Sequence, residues 1–398
     1  MGQVDNFADV LVLGLGAMGS AATYQLARQG ASVIAIDQFS PPHKMGSTHG
    51  DTRITRQAIG EGEVYTPLAL RSYKLWDEIE KETGTDLLTM TGGLIIADAS
   101  GVSTAHGNAD FMGNTLRSAE KYGIGHERLD VRGIQTRYPQ FKLRGHEMGY
   151  LEYKAGFLRP ERCVEAQLDL AKRHGAKIYT GEKVLEFVQE RDGVSVKTDR
   201  CDYKCKKLII SAGPWVSDFI GERYKGLFKV YRQVLYWFDV EDSYESFVAE
   251  KFPVFIWDFG TEGGGGIYGF PAIDGRQGGL KVAHEDYLET TAPDQTRRDV
   301  SPAETDEMFE RFVEPRLVGV KRECVKVVIC LYTVTPDSGF VIDTHPDYKD
   351  VIIASPCSGH GFKHSAAIGE ALAQLATRGN TDIDISAFAF GVRDRREI

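Results

Sequence analysis

Residues 8–37, ADVLVLGLGAMGSAATYQLARQGASVIAID, constrain the fold more than any other stretch. The opening apolar run has no alternation, the pattern of a strand buried on both faces of a parallel sheet. A helix follows and ends at Gly30, and ASVIAID supplies a second strand. Gly14, Gly16 and Gly19 form GxGxxG at the strand–helix junction, and Asp37 ends the next strand about 20 residues on. In this pattern the first glycine allows the tight turn, the second lets a pyrophosphate approach the backbone, and the third lets helix and strand pack closely. The helix start then offers N–H groups and positive potential to phosphates. Asp37 is placed to accept hydrogen bonds from a ribose, which favours an unphosphorylated 2′-hydroxyl. The fingerprint predicts a dinucleotide but does not separate NAD from FAD.

The remaining pattern divides in two. KVLEFVQERDGVSVKT reads as a hairpin turning at Asp192-Gly193, and KKLIISAGPW as another buried strand. Residues 223–300 carry short alternating, aromatic-rich runs, which predict a mainly antiparallel sheet. TEGGGGIYG within them is expected to form a mobile loop. Near the end GFVIDTHP, DVIIASPCSGHGF and SAAIGEALAQLATRG return to α/β style, with Ile368, Leu372 and Leu375 on one helical face and Gly379 closing it. The expected class is α/β in two domains: a Rossmann-like nucleotide-binding domain carrying an inserted, mainly antiparallel substrate domain. The expected division gives 1–85, 150–222 and 325–398 to the first, and 86–149 and 223–324 to the second.

Composition narrows the partners. A net charge of −10 over 398 residues argues against nucleic acid or an anionic membrane. No apolar run approaches the ~20 residues of a membrane span, and the start lacks a secretory pattern, so a cytoplasmic protein is expected. The six cysteines (163, 201, 205, 324, 330 and 357) contain no CxxC pair, so no structural zinc is expected. His360 and His364 are spaced i, i+4 but lack an accompanying third ligand, and no metal is expected there either.

Against this acidic background STHGDTRITR, residues 47–56, concentrates His49, Arg53 and Arg56. If partly helical it stacks these groups on one face, and they require an anionic partner. Glu61 and Glu63 are one option, in a surface salt-bridge cluster of little energetic weight. A ligand is the other.

PPHKMGSTHGDTRITRQAIGEGEVYTPLALRSYKLWDEIE and CLYTVTPDSGFVIDTHPDYKDVIIASPCSGHGFKHS resemble the corresponding blocks of the monomeric sarcosine oxidase and N-methyltryptophan oxidase family. The resemblance spans most of the chain, is densest at 11–80 and 325–376, and is thin across 100–260. It implies an FAD-dependent oxidase of secondary amino acids, N-methyl or cyclic, that forms an imine and reduces O2 to hydrogen peroxide. It implies FAD tethered to Cys330, His49 and Arg53 against the flavin, and Arg56 and Lys363 on the substrate carboxylate. A planar guanidinium suits that last task because it grips both oxygens. Thr52, Gly359, His360 and Gly361 are expected beside the cofactor, Tyr268 in the amine pocket, and Lys281 at the site of oxygen activation. Relatives place an active-site histidine four residues after that lysine, whereas His284 lies three after Lys281. In a strand a one-residue slip moves a side chain to the other face unless a bulge intervenes. A monomer is expected by analogy. A dehydrogenase passing electrons to a quinone or carrier is the principal alternative. An NAD-dependent dehydrogenase or a non-enzymatic nucleotide-binding module would leave Cys330 and SGHGFK unexplained.

Overall fold

The computed structural model describes residues 6–98, 109–260 and 265–392. Its first sheet contains eight strands, with Phe7–Leu13 hydrogen-bonded in parallel to Val33–Asp37 and to Asp202–Ile210. Lys177–Thr180 extends it in parallel beyond Val33–Asp37, and Tyr348–Ser355 joins Asp202–Ile210 at its C-terminal half. Helices Ala17–Arg28, Pro160–Arg173 and Ser365–Arg378 pack together against this sheet, burying Ala22, Leu26, Val164, Ile368 and Leu372. This is the Rossmann-like parallel βαβ arrangement expected from the glycine fingerprint, with its helices in one layer. The predicted hairpin forms but turns over Arg191-Asp192, since Glu190 pairs with Gly193.

The second eight-stranded sheet runs in the order Cys324–Val334, Lys229–Phe238, Leu280–His284, Gly266–Gly269, Val254–Asp258, Gly93–Asp98, Glu147–Glu152, His126–Leu129. Every pairing is antiparallel except that of Val254–Asp258 with Gly93–Asp98. One face buries an aromatic core that includes Phe238, Phe255, Trp257 and Phe312. Two expected boundaries fall inside strands of this sheet. Glu147–Glu152 crosses 149/150, and Cys324–Val334 belongs to the second sheet although 325–398 is expected in the nucleotide-binding part. The apolar run around Cys330 reads the same in either sheet, so sequence pattern could not place it. The glycine run expected as a mobile loop lies, at 261–264, outside the described residues.

A three-stranded sheet links the two layers: Arg53–Thr55, Gly156–Leu158 and Leu88–Met90. The cationic stretch is therefore extended rather than helical. Gly50 and Asp51 have φ of 96° and 68°, a left-handed pair that no helix accommodates. The side chains alternate instead of stacking, which sends Arg53 and Arg56 to opposite faces. Among the described residues no helix is long and apolar enough to cross a membrane.

Candidate active site

The turn after Phe7–Leu13 is built around its glycines. Gly14 has φ 84°, and a Cβ there would stand 2.5 Å from the Ser211 carbonyl oxygen. A Cβ on Gly19 would stand 1.7 Å from the Gly14 carbonyl oxygen, so only glycine lets this helix start so close to the strand. The helix begins at Ala17, whose N–H donates to the Thr48 hydroxyl at 3.3 Å, and its positive end faces a groove. Asp37 lies at the same groove. Its carboxylate accepts from Leu15 N–H at 2.7 Å and Phe39 N–H at 2.8 Å, one on each oxygen. Each oxygen keeps a second lone pair for a ribose hydroxyl.

The groove runs from Asp37 past Gly359 and Gly361 to Arg53 and Tyr332. Cys330 is buried behind two of the groove's lining residues, with its Sγ 3.5 Å from the Arg53 guanidinium and 3.5 Å from the Ser47 carbonyl oxygen. Arg53 is held by the carbonyls of Ser47 at 2.7 Å and Thr52 at 2.8 Å. His49 donates from Nε2 to the Gly46 carbonyl at 3.1 Å. Burial, reinforced by the Arg53 charge, pushes its pKa down to about 3, so it is neutral and adds no cation to the stretch. Its Nδ1 is buried without a hydrogen-bond partner.

Lys281 packs behind this loop. Its Nζ donates to the carbonyls of Gly50 at 2.7 Å and Thr52 at 2.9 Å and to the Thr52 hydroxyl at 3.2 Å. The ammonium also lies 4.5 Å from the Phe270 ring centre. Only 2% of the residue is exposed, and burial followed by repulsion from Arg53 drives its pKa well below that of an ordinary lysine. Glu161 fixes the same loop, accepting from Gly50 N–H at 2.6 Å and Asp51 N–H at 3.2 Å.

Arg56 and Lys363 meet at one carboxylate. Arg56 pairs with Oε2 of Glu61, and Lys363 Nζ lies 3.2 Å from Oε1. All three are buried, so Glu61 is no part of a surface cluster; Glu63 is, pairing with exposed Lys121. The Arg56 guanidinium also sits 5.0 Å from the Phe111 ring centre. Lys363 donates to the His360 carbonyl at 2.8 Å, and burial, opposed by Glu61, lowers its pKa to about 8. His360 donates from Nε2 to the Ser338 carbonyl at 3.0 Å and stacks on Phe340 at 4.6 Å. His364 is fully buried beside Tyr65, and burial keeps it neutral.

These residues edge a cavity of about 700 Å³ that shares Arg53, Tyr332, Gly359 and Phe362 with the nucleotide groove. The Tyr268 and Tyr332 hydroxyls line it, 3.1 Å apart. Tyr332 escaped the sequence reading, although its position two after Cys330 puts it on the same strand face. His284 follows the strand's alternation without a bulge. It pairs with Ile267, while Ala283 pairs with Tyr268, so His284 faces away from Tyr268. It stacks on Phe312 at 4.2 Å and donates to the Gly266 carbonyl at 2.8 Å. The offset from Lys281 therefore has the consequence that strand geometry dictates.

An extended groove with a phosphate turn and a carboxylate at its ribose end, with Cys330 buried behind its Ser47 and Arg53, fits FAD. The comparisons agree. The family model for FAD dependent oxidoreductases matches residues 9–375. The monomeric sarcosine oxidase of Bacillus sp. (strain NS-129) is 38% identical over 384 residues, 96% of each chain. The N-methyl-L-tryptophan oxidase of Escherichia coli (strain K12 / DH10B) is 32% identical over 385 residues, 96% of this chain and 98% of its own. Among solved structures NikD, an amino acid oxidase, superposes with a TM-score of 0.81 at 23% identity, covering 96% of this chain and 97% of its own. L-proline dehydrogenase from P. horikoshii gives 0.79 at 20% identity, covering 99% and 100%. The chain belongs to the FAD dependent oxidoreductase family, as an enzyme of the sarcosine oxidase and N-methyltryptophan oxidase type.

Proposed function

We propose that this enzyme oxidises the secondary amine of an N-methyl or cyclic amino acid to an imine and passes the two electrons to O2, forming hydrogen peroxide. The observation that carries the reading is the convergence of Arg56 and Lys363 on a single carboxylate beside the cavity that opens onto the groove. Two buried cations around one carboxylate are the arrangement an amino acid substrate needs at its anionic end. The names of the relatives, sarcosine oxidase and N-methyl-L-tryptophan oxidase, supply the amine class. FAD, when bound, supplies the two-electron acceptor, and Cys330 is the residue to which it is attached.

The chain's own residues bind and orient. Arg56 and Lys363 hold the substrate carboxylate, and the Tyr268–Tyr332 hydroxyl pair borders the amine. Gly14, Gly16, Gly19 and Asp37 would hold the dinucleotide, while the carbonyls of Ser47 and Thr52 fix Arg53 and that of Thr52 also Lys281. Lys281 and Arg53 supply positive charge where negative charge develops on oxygen. The protein acts as a cytoplasmic monomer. A panel of secondary amino acids, tested by anaerobic bleaching and by peroxide release in air, examines both halves. Bleaching without peroxide would make the enzyme a dehydrogenase with a quinone or carrier as acceptor. Unchanged KM in Arg56→Ala for carboxylated substrates would exclude the role given to Arg56.

A further inference from the structure

Strand Leu280–His284 presents Lys281 and Ala283 on one face and Val282 and His284 on the other. Ala283 clusters with Cys330, Tyr268 and Tyr332, whereas Val282 enters the aromatic core and His284 stacks on Phe312. The strand ends at His284, and Glu285 follows it, four after Lys281. Like His284, it lines the cavity with Arg56, Lys363 and Tyr268. Its carboxylate accepts from the Tyr287 hydroxyl at 3.0 Å.

Its charge reaches the reacting end of the cavity. Burial is the main force raising the Tyr268, Tyr332 and Tyr287 phenols, and Glu285 adds to it. At Lys363, which burial lowers, Glu285 and Glu61 both act in the opposite sense. Farther out, Arg232 is neutralised by Glu304 and Arg311 by Glu307. The cavity is thus lined by cations at Arg56 and Lys363, both held by Glu61, and by carboxylates at Glu285, Asp286 and Glu289. An amino acid zwitterion carries the complementary charges.

We infer that Glu285 receives the ammonium of the zwitterionic substrate whose carboxylate rests on Arg56 and Lys363, and accepts one proton from it. This rests on the carboxylate anchoring proposed above. The step is a proton transfer alone: an ammonium N–H bond breaks, an O–H bond forms on Glu285, and no electrons leave the substrate. Arg53, Arg56 and Lys363 repel the ammonium charge and weaken its hold on the proton. Transfer also turns an ion pair into a neutral pair in a site partly withdrawn from water, where charges are costly. The amine is left with the lone pair that oxidation requires, and no other carboxylate need act as base.

The test compares the FAD-loaded wild type with Glu285→Gln. In anaerobic rapid mixing with a substrate taken from the panel, Glu285→Gln should slow reduction about 100-fold at pH 7, the range of general-base effects. The rates should converge at high pH, where the amine is already neutral, and Glu285→Asp should restore part of the rate. Binding gives a second readout. Glu285→Gln should weaken N,N-dimethylglycine, which carries the ammonium, and leave methoxyacetate, which lacks it, unchanged by calorimetry. A variant with wild-type pH profile and wild-type preference between these ligands overturns the role of Glu285 alone. A wild type that no secondary amino acid reduces overturns this inference together with the function on which it rests. If Glu285→Gln fails to fold, Glu285→Asp carries the same comparisons with smaller shifts.

Discussion

The ammonium of Lys363 lies 3.2 Å from the carboxylate of Glu61, across 302 positions of sequence. Arg56 holds the other oxygen of that carboxylate. An internal anion therefore occupies the cations that a substrate carboxylate must use, and the two compete. Glu61→Gln removes the competitor. Acetate should then bind about tenfold more tightly, a change of about 1.4 kcal/mol, as read by calorimetry. The same change leaves two buried cations without their anion, and breaking a buried pair costs about 3–5 kcal/mol. Denaturant unfolding should show that loss. Unaltered acetate affinity would mean that Glu61 does not stand in the ligand's way.

Lys363 gives the site a pH dependence. Burial is the leading cause of its lowered pKa, about 8 in the folded protein against 10.5 ordinarily. Between these values the unfolded chain binds more protons than the folded one, so this group makes stability rise with pH across that window. Ligand binding runs the other way. The cation that grips a carboxylate is lost as pH rises through about 8, so acetate affinity should fall above that pH. Lys363→Met should bind acetate weakly at every pH and lack that fall.

Much of the fold was legible in residues 8–37, because glycine spacing there answers to sterics: the space at Gly14 and Gly19 admits no Cβ. The convergence of Arg56 with Lys363 was legible only through resemblance, since nothing local to either residue encodes their meeting at Glu61, 302 positions before Lys363. Residues 49–56 show the opposite failure. Their spacing suits a helix, but Gly50 and Asp51 are left-handed and Arg53–Thr55 pairs with Gly156–Leu158, a tertiary choice invisible in the stretch itself. Glu61 was visible as a charge partner, yet its burial was not. That depends on packing from Arg56, His360 and Lys363, which arrive from distant segments.

Cys330 carries a prediction that needs no kinetics. Its thiol lies 3.5 Å from the Arg53 guanidinium and 3.5 Å from the Ser47 carbonyl oxygen. After acid precipitation of the wild type, yellow colour should stay in the pellet. In Cys330→Ala it should move to the supernatant, with the groove otherwise intact. Colour in the wild-type supernatant would remove Cys330 as the attachment point while leaving FAD binding in place.

Lys281 combines a structural and a chemical task, and the two separate in experiment. Its ammonium satisfies the Gly50 and Thr52 carbonyls and the Thr52 hydroxyl. Lys281→Met keeps the side chain's length but strands those acceptors, at a cost of about 1–3 kcal/mol for a buried group left unpaired. Denaturant unfolding reads that part. The chemical part concerns oxygen alone, because a buried cation stabilises the negative charge that O2 acquires on reduction. Removing one such electrostatic partner lowers a rate by about 10²–10³. In Lys281→Met, reoxidation by O2 should fall by that factor while anaerobic reduction by substrate changes far less. Equal loss in both half-reactions would assign Lys281 to holding the Gly50–Arg53 loop and nothing more.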